Sequence, residues 1–335
     1  MRILFTTLLL LLLQAASAQP DSVRRFVDSA LSLMQTRSLY ADNLDWQKVG
    51  DSARKLAAGA TSYADAGAAI KFAFNLLGDK HGWLVLAGEQ YVNPFMRRDN
   101  SRINEATRSV ITKPAVRQAT LQGQYAYLSI PFFGGQTTKG MNDFAQRIQD
   151  SLGKALPQKP KGIIIDLRLN GGGNMYPMVV GVSNVLGNGR FTESVNGNGE
   201  VDGSFEMKDY TITLLDTMVV RLQKTHGNLE NLPVAVLIGP ATGSSGEQLA
   251  IILSLRKNTV LIGEPTAGYV TGNNGFLLPG NENGLVLAES YTKDSQGKVY
   301  KTDVEPALSI TGGDNFTDLK QDKKIQAALE WLSKK

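Results

Sequence analysis

The chain has 335 residues, 42% hydrophobic and 20% charged, enough to bury a sizeable interior without cross-links. Cysteine is absent, which excludes thiol catalysis, thiolate metal sites and disulfides together. Its 35 basic and 31 acidic residues leave a formal charge of +4 with no basic run interleaved with aromatics, so nucleic acid is not an expected partner.

Residues 1–18, "MRILFTTLLLLLLQAASA", carry Arg2, an apolar run from Ile3 to Leu13, and a small-x-small ending at Ala16, Ser17 and Ala18. This reads as a secretory signal cleaved after Ala18, leaving an exported protein, periplasmic or secreted. The apolar run is too short to span a bilayer comfortably, and no later segment is apolar enough, so no stable membrane insertion is expected. Residues 19–90 form a small helical region, because "SVRRFVDSALSLM" and "YADAGAAIKFAFNLL" place apolar residues at three-to-four spacing. After "LGDKHGWLVLAG" the polar stretch "RRDNSRINEATRS" reads as a surface loop.

Residues 91–335 read as a sheet-rich core of mixed α/β class. "YAYLSIPFF" is a strand, followed by an amphipathic helix around "GMNDFAQRIQDSL". "KGIIIDLRLNGGGNMYPM" is a buried strand, a glycine loop and a second apolar helix, and "GRFTESVNGNGEVDGSFEMKDYTITL" is hairpin material with Asn and Gly at its turns. "PVAVLI" is a buried strand that feeds the turn "GPATGSSGE" and a helix. The strand "TVLIGEPT", a β-rich tail and a closing helix with Ile325, Leu329 and Leu332 on one face complete the chain.

Neither "NGGGNM" nor "NGNGEVDG" has dinucleotide-binding spacing, and no phosphate-loop lysine follows a glycine run. A glycine loop between strand and helix can instead turn N–H groups toward a developing oxyanion, and Gly171, Gly172 and Gly173 stand there; a simple tight turn is the alternative. Ser244 with Glu247, and Ser245 with Gln248, each match a helix capping box, so local physics does not choose between cap and nucleophile. A nucleophilic serine needs a base, and the chain offers two histidines: His81 at the end of an apolar helix and His226 in a polar connection.

Taken in order, "LGDKH", "IIIDLRLNGGG", "ATGSSGE" and "LIGEPTAG" resemble the S41 serine peptidases, the tail-specific or C-terminal processing protease family, over about residues 70–311. The resemblance implies a ClpP/crotonase-like core, a peptide or unfolded-protein substrate, and no metal or organic cofactor. It implies Ser244 as the nucleophile, with the N–H groups of Gly172 and Ser245 as the oxyanion hole. Many members place a lysine base where "GEPTAGYV" has Tyr269; lysine-lacking, tricorn-like members use a histidine from earlier in the chain, which implies His81 as general base. The serine that precedes that histidine is Lys80 here, leaving Asp79, Asp303 or Glu305 as candidates for the acid that orients it. The family's tail aspartate is replaced by Ala307, and the interval before "YAYLSI" is too short for a PDZ insert. The alternative is a non-catalytic peptide- or ligand-binding member of the same fold. A crotonase-type acyl-CoA enzyme is disfavoured by export.

Overall fold

The computed structural model describes residues 19–96, 99–214 and 217–335. The expected signal sequence at 1–18 lies outside the described residues. The chain divides into two units: a helical unit of residues 19–95 with Gly275–Leu287, and a sheet unit of Met96–Asn274 with Ala288–Lys335.

In the helical unit, the helix Asp21–Arg37 buries Val23, Phe26, Val27, Ala30, Leu31 and Met34, a single apolar face at three-and-four spacing. It packs with the helices Trp46–Leu56 and Tyr63–Leu77. Ser62 and Asp65 form a reciprocal capping box at the start of the last of these, which ends at left-handed Gly78. Leu278, Leu285 and Leu287 close the same apolar core, joined by Leu84. Their burial there corrects the sequence boundary, which assigned all of 91–335 to the catalytic core. Residues 284–286 pair antiparallel with the strand Trp83–Leu86, which also pairs with Glu89–Tyr91.

The sheet unit is built on six strands in the order Leu308–Ser309, Thr259–Gly263, Val234–Ile238, Gly162–Asp166, Tyr125–Ser129 and Arg117–Leu121. All neighbours are parallel except the last pair. Because side chains alternate along a strand, Ile163, Ile165, Val234 and Val236 face one core with the helices Thr138–Ala155, Met175–Gly181 and Ser245–Ser254. Tyr127, Ile164, Ala235 and Leu237 face the other, against Ile325, Ala328 and Leu332 of the closing helix Lys323–Ser333. Burial on both faces is what makes these strands read as unbroken apolar runs.

The expected hairpin is present, Gly189–Val195 pairing antiparallel with Val201–Met207. The stretch read as a surface loop contains a short helix, Glu105–Ile111, started by Asn104, whose Oδ1 accepts the Thr107 N–H at 2.9 Å. That cap outweighs the polar composition. No helix among the described residues is long and apolar enough to cross a membrane. In a parallel sheet the loops that follow the strands share one edge, and those following Gly162–Asp166, Val234–Ile238 and Thr259–Gly263 carry the candidate chemistry.

Candidate active site

These three loops are laced together by backbone hydrogen bonds. Leu167 N–H donates to Leu237 O at 2.8 Å, Gly243 N–H to Asn170 O at 2.9 Å, and Ala267 N–H to Thr242 O at 2.8 Å. Buried Thr242 adds a side-chain link, its Oγ1 donating to Leu167 O at 2.8 Å and accepting from Gly239 N–H at 3.0 Å.

The two adjacent serines stand in different environments. Ser244 is partly exposed and precedes the helix Ser245–Ser254 at φ 51° and ψ −118°. That conformation is strained for a residue with a side chain and persists only where the surroundings enforce it. Glu247 does much of the enforcing: fully buried, it accepts the N–H groups of Ser244 at 2.7 Å, Gly268 at 2.7 Å and Tyr269 at 2.8 Å, and the Thr266 hydroxyl. Burial pushes the Glu247 carboxyl above its ordinary pKa, against the opposing pull of these four donors. Ser245 is 7% exposed and its Oγ donates to Gly173 O at 2.6 Å. Its hydroxyl therefore ties the helix start to the glycine loop.

That loop presses directly on Ser244. A Cβ at Gly172 would stand 2.7 Å from Ser244 Cβ and 3.0 Å from Gly243 O, and its φ is +115°, so only glycine fits. The Gly172 N–H, expected at an oxyanion, donates instead to Asn170 Oδ1 at 3.0 Å, a local turn closed by the asparagine side chain. The Ser245 amide opens the first turn of its helix, where backbone N–H groups lack intrahelical acceptors and carry the positive end of the dipole.

His81 belongs to the helical unit. Buried Asp79 shapes its turn, Oδ1 accepting the N–H groups of both His81 and Gly82 at 2.8 Å. Gly82 is required there, since a Cβ would come within 2.5 Å of Asp79 Oδ2 and of Val286 O. The other two candidate acids belong to the sheet unit. Asp303 lies 3.8 Å from the guanidinium of Arg102, and Glu305 is exposed. Between them, Val304 N–H donates to Thr266 Oγ1 at 2.7 Å, so both flank a residue bonded to the Glu247 brace. Tyr269, where the resemblance expects the family lysine, has its ring 3.7 Å from where a Gly243 Cβ would be. His226 is elsewhere, its Nε2 3.2 Å from Asp150 Oδ1.

Sequence reasoning missed a buried charge cluster beneath the glycine loop. Arg168, 2% exposed, bonds Asp166 at 2.7 Å, Asp314 at 2.6 Å and Asp322 at 2.7 Å, with its guanidinium 4.6 Å from the Phe316 ring centroid. Lys324, also buried, bonds Glu264 at 2.7 Å and Asp314 at 2.9 Å. Burial opposes ionisation of Asp314, but Arg168 and Lys324 outweigh it and hold the carboxyl below its ordinary pKa. The "IIIDLR" strand signals a buried Asp166 and Arg168; the further carboxylates that Arg168 bonds, Asp314 and Asp322, are more than a hundred residues away and leave no local trace. Among the described residues no group of three or more histidine, aspartate or glutamate side chains is arranged to hold a metal ion.

Comparison with known proteins agrees with this architecture. The nisin-resistance protein of Lactococcus lactis subsp. lactis is 25% identical over 325 residues, covering 93% of this chain and 88% of that protein. A lipoprotein from Streptococcus agalactiae has a similar structure, with a TM-score of 0.71 at 21% identity over 99% of both chains. The photosystem II D1 C-terminal processing protease matches with a TM-score of 0.60 at 13% identity, over 92% of this chain and 97% of its own. Residues 124–310, more than half of the chain, match the model of peptidase family S41. The chain belongs to the serine peptidase family S41, and its mixed α/β fold is that of the S41 proteases.

Proposed function

We propose that this is an exported serine peptidase that hydrolyses peptide bonds with Ser244 as nucleophile and His81 as general base. The observation that carries the reading is the contrast between the serines. Ser244 is accessible on a strained turn against Gly172, whereas Ser245 is buried and bonded to the loop. In this reaction Ser244 Oγ attacks the peptide carbonyl as His81 takes its proton. The tetrahedral oxyanion is held by the Ser245 N–H and by Gly172, whose N–H must be shared with or released from Asn170 Oδ1. His81 then gives its proton to the leaving amine, and water, deprotonated in turn by His81, releases the acyl group. Asp79, Asp303 or Glu305 orients the imidazole. The signal sequence at 1–18 supports export, with Gln19 as the mature N-terminus.

The substrate is a peptide or an unfolded protein, and similarity to a nisin-resistance protein makes nisin a substrate to try first. The engaged Gly172 amide and Tyr269 in the lysine position favour a second reading, a peptide-binding member without turnover. Mass-spectrometric mapping of a serine-reactive fluorophosphonate separates the two. Modification at Ser244, lost in Ser244→Ala, supports the peptidase. A folded protein that binds peptide but leaves Ser244 unmodified and every tested peptide intact supports the binding module.

A further inference from the structure

The glycine loop has a second neighbour besides Ser244. After the strand Tyr125–Ser129 the chain reads Ile130, Pro131, Phe132, Phe133, Gly134, Gly135, and this segment runs beside the loop. Phe133 N–H donates to Gly172 O at 3.3 Å, and Asn174 N–H donates to Phe133 O at 2.6 Å. The two phenylalanines diverge. Phe133 turns inward and stacks on Phe144, ring centroids 4.2 Å apart. Phe132 instead remains 49% exposed beside the glycine loop.

Its ring is nevertheless seated. Phe132 lies 3.0 Å from where a Cβ of Gly173 would be and 3.0 Å from where one of Gly134 would be. A side chain at either glycine would crowd the ring from its position. The ring thus rests on the residue next to Gly172, and Gly172 itself abuts Ser244. Charged side chains do not enter this short stretch, whose sequence from Ile130 to Gly135 is wholly apolar or glycine.

We infer that Phe132 is a specificity-determining residue, an apolar wall that receives a substrate side chain flanking the bond presented to Ser244. The inference rests on the peptide-processing reading and adds a preference to it. An aromatic face that is partly exposed when empty gains by covering itself with an aliphatic or aromatic side chain, and it leaves a polar one without hydrogen-bond partners. Preference for apolar over polar residues at one position beside the scissile bond is therefore expected.

The test uses paired fluorogenic peptides that differ only by leucine or asparagine at each position flanking the cleavage point. At one of these positions the leucine-to-asparagine ratio of kcat/KM should fall about tenfold or more in Phe132→Ala. It should recover largely in Phe132→Leu. A ratio unchanged in Phe132→Ala, whether or not overall turnover falls, overturns the assignment. The same peptides are titrated against full-length Ser244→Ala and Ser244→Ala/Phe132→Ala, where the ratio of Kd values reads the preference without turnover. If wild type cleaves none of the peptides the peptidase reading fails, yet the binding ratio still decides Phe132: a drop supports it and an unchanged ratio overturns it.

Discussion

Ser244 and His81 are held in place by different means. The turn of Ser244 is fastened to two other loops by Thr242, Gly243, Ala267 and the four donors gathered on Glu247. The turn of His81 is shaped by Asp79, two residues earlier, and by the strand that begins at Trp83. The first is a long-range construction with many supports, the second a local one. Damage to one support of Ser244 should therefore shift geometry by degrees, whereas in the proposed mechanism the side chains of Ser244 and His81 themselves have no substitutes.

The largest effects expected are at those two side chains. Ser244→Ala and His81→Ala should each lower kcat roughly a million-fold, as loss of either member of a serine–histidine pair can, with circular dichroism unchanged. His226→Ala should leave turnover within about twofold, since no step of the proposed mechanism calls on it. Comparable activity in a folded His81→Ala protein would overturn the proposed role of His81 as base for Ser244.

Next is Asp314→Asn in the cluster under the loop. Removing one partner from a buried ion network costs about 3–5 kcal/mol, read as a lower midpoint in urea. The sign with pH follows from a folded pKa below the unfolded one. The stabilisation is full above the ordinary value near pH 4 and is lost as pH falls through the depressed one, so wild type and variant converge in acid.

Glu247→Gln should cost about 1–3 kcal/mol, because an amide cannot accept all four donors. It should also lower kcat by up to roughly a hundredfold through displacement of Ser244. Here the folded pKa is raised, so wild type gains stability relative to the Gln variant below the unfolded value and loses that gain as pH rises through the folded one. A kcat loss equal to that of Ser244→Ala would show that the supports of Ser244 are not graded. Among the supports of Ser244 the smallest effect belongs to Ser245→Ala, about 1 kcal/mol from the lost bond to Gly173 O, with turnover within about tenfold.

The legible parts of the molecule were those written in consecutive residues. Runs such as "IIID" and "VAVLI" announce strands buried on two faces, and Ser62 or Ser244 followed three residues on by an acid announces a helix start. The helix Glu105–Ile111 was readable in principle from Asn104 but was masked by its polar composition. Arg117–Leu121, half-exposed and antiparallel at its sheet's edge, has no apolar run to reveal it. At the candidate site, sequence names Ser244, Gly172 and Glu247 but not the donors that converge on Glu247 from 266–269. Nor does it reveal that Asn170 captures the Gly172 N–H, because a side chain's choice of partner depends on loop geometry that composition does not encode.

The return of Gly275–Leu287 to the helical unit sets an order of events during synthesis. The first three helices leave the ribosome early, but Leu278, Leu285 and Leu287, which seal their shared interior, follow only after the whole stretch from Met96 to Asn274. At translation rates of roughly 5–20 residues per second, that is a delay on the order of ten to forty seconds. Through that interval the nascent helices carry an open apolar seam. If the proposed export holds, a seam that cannot close early would help keep the chain competent to be threaded across the membrane.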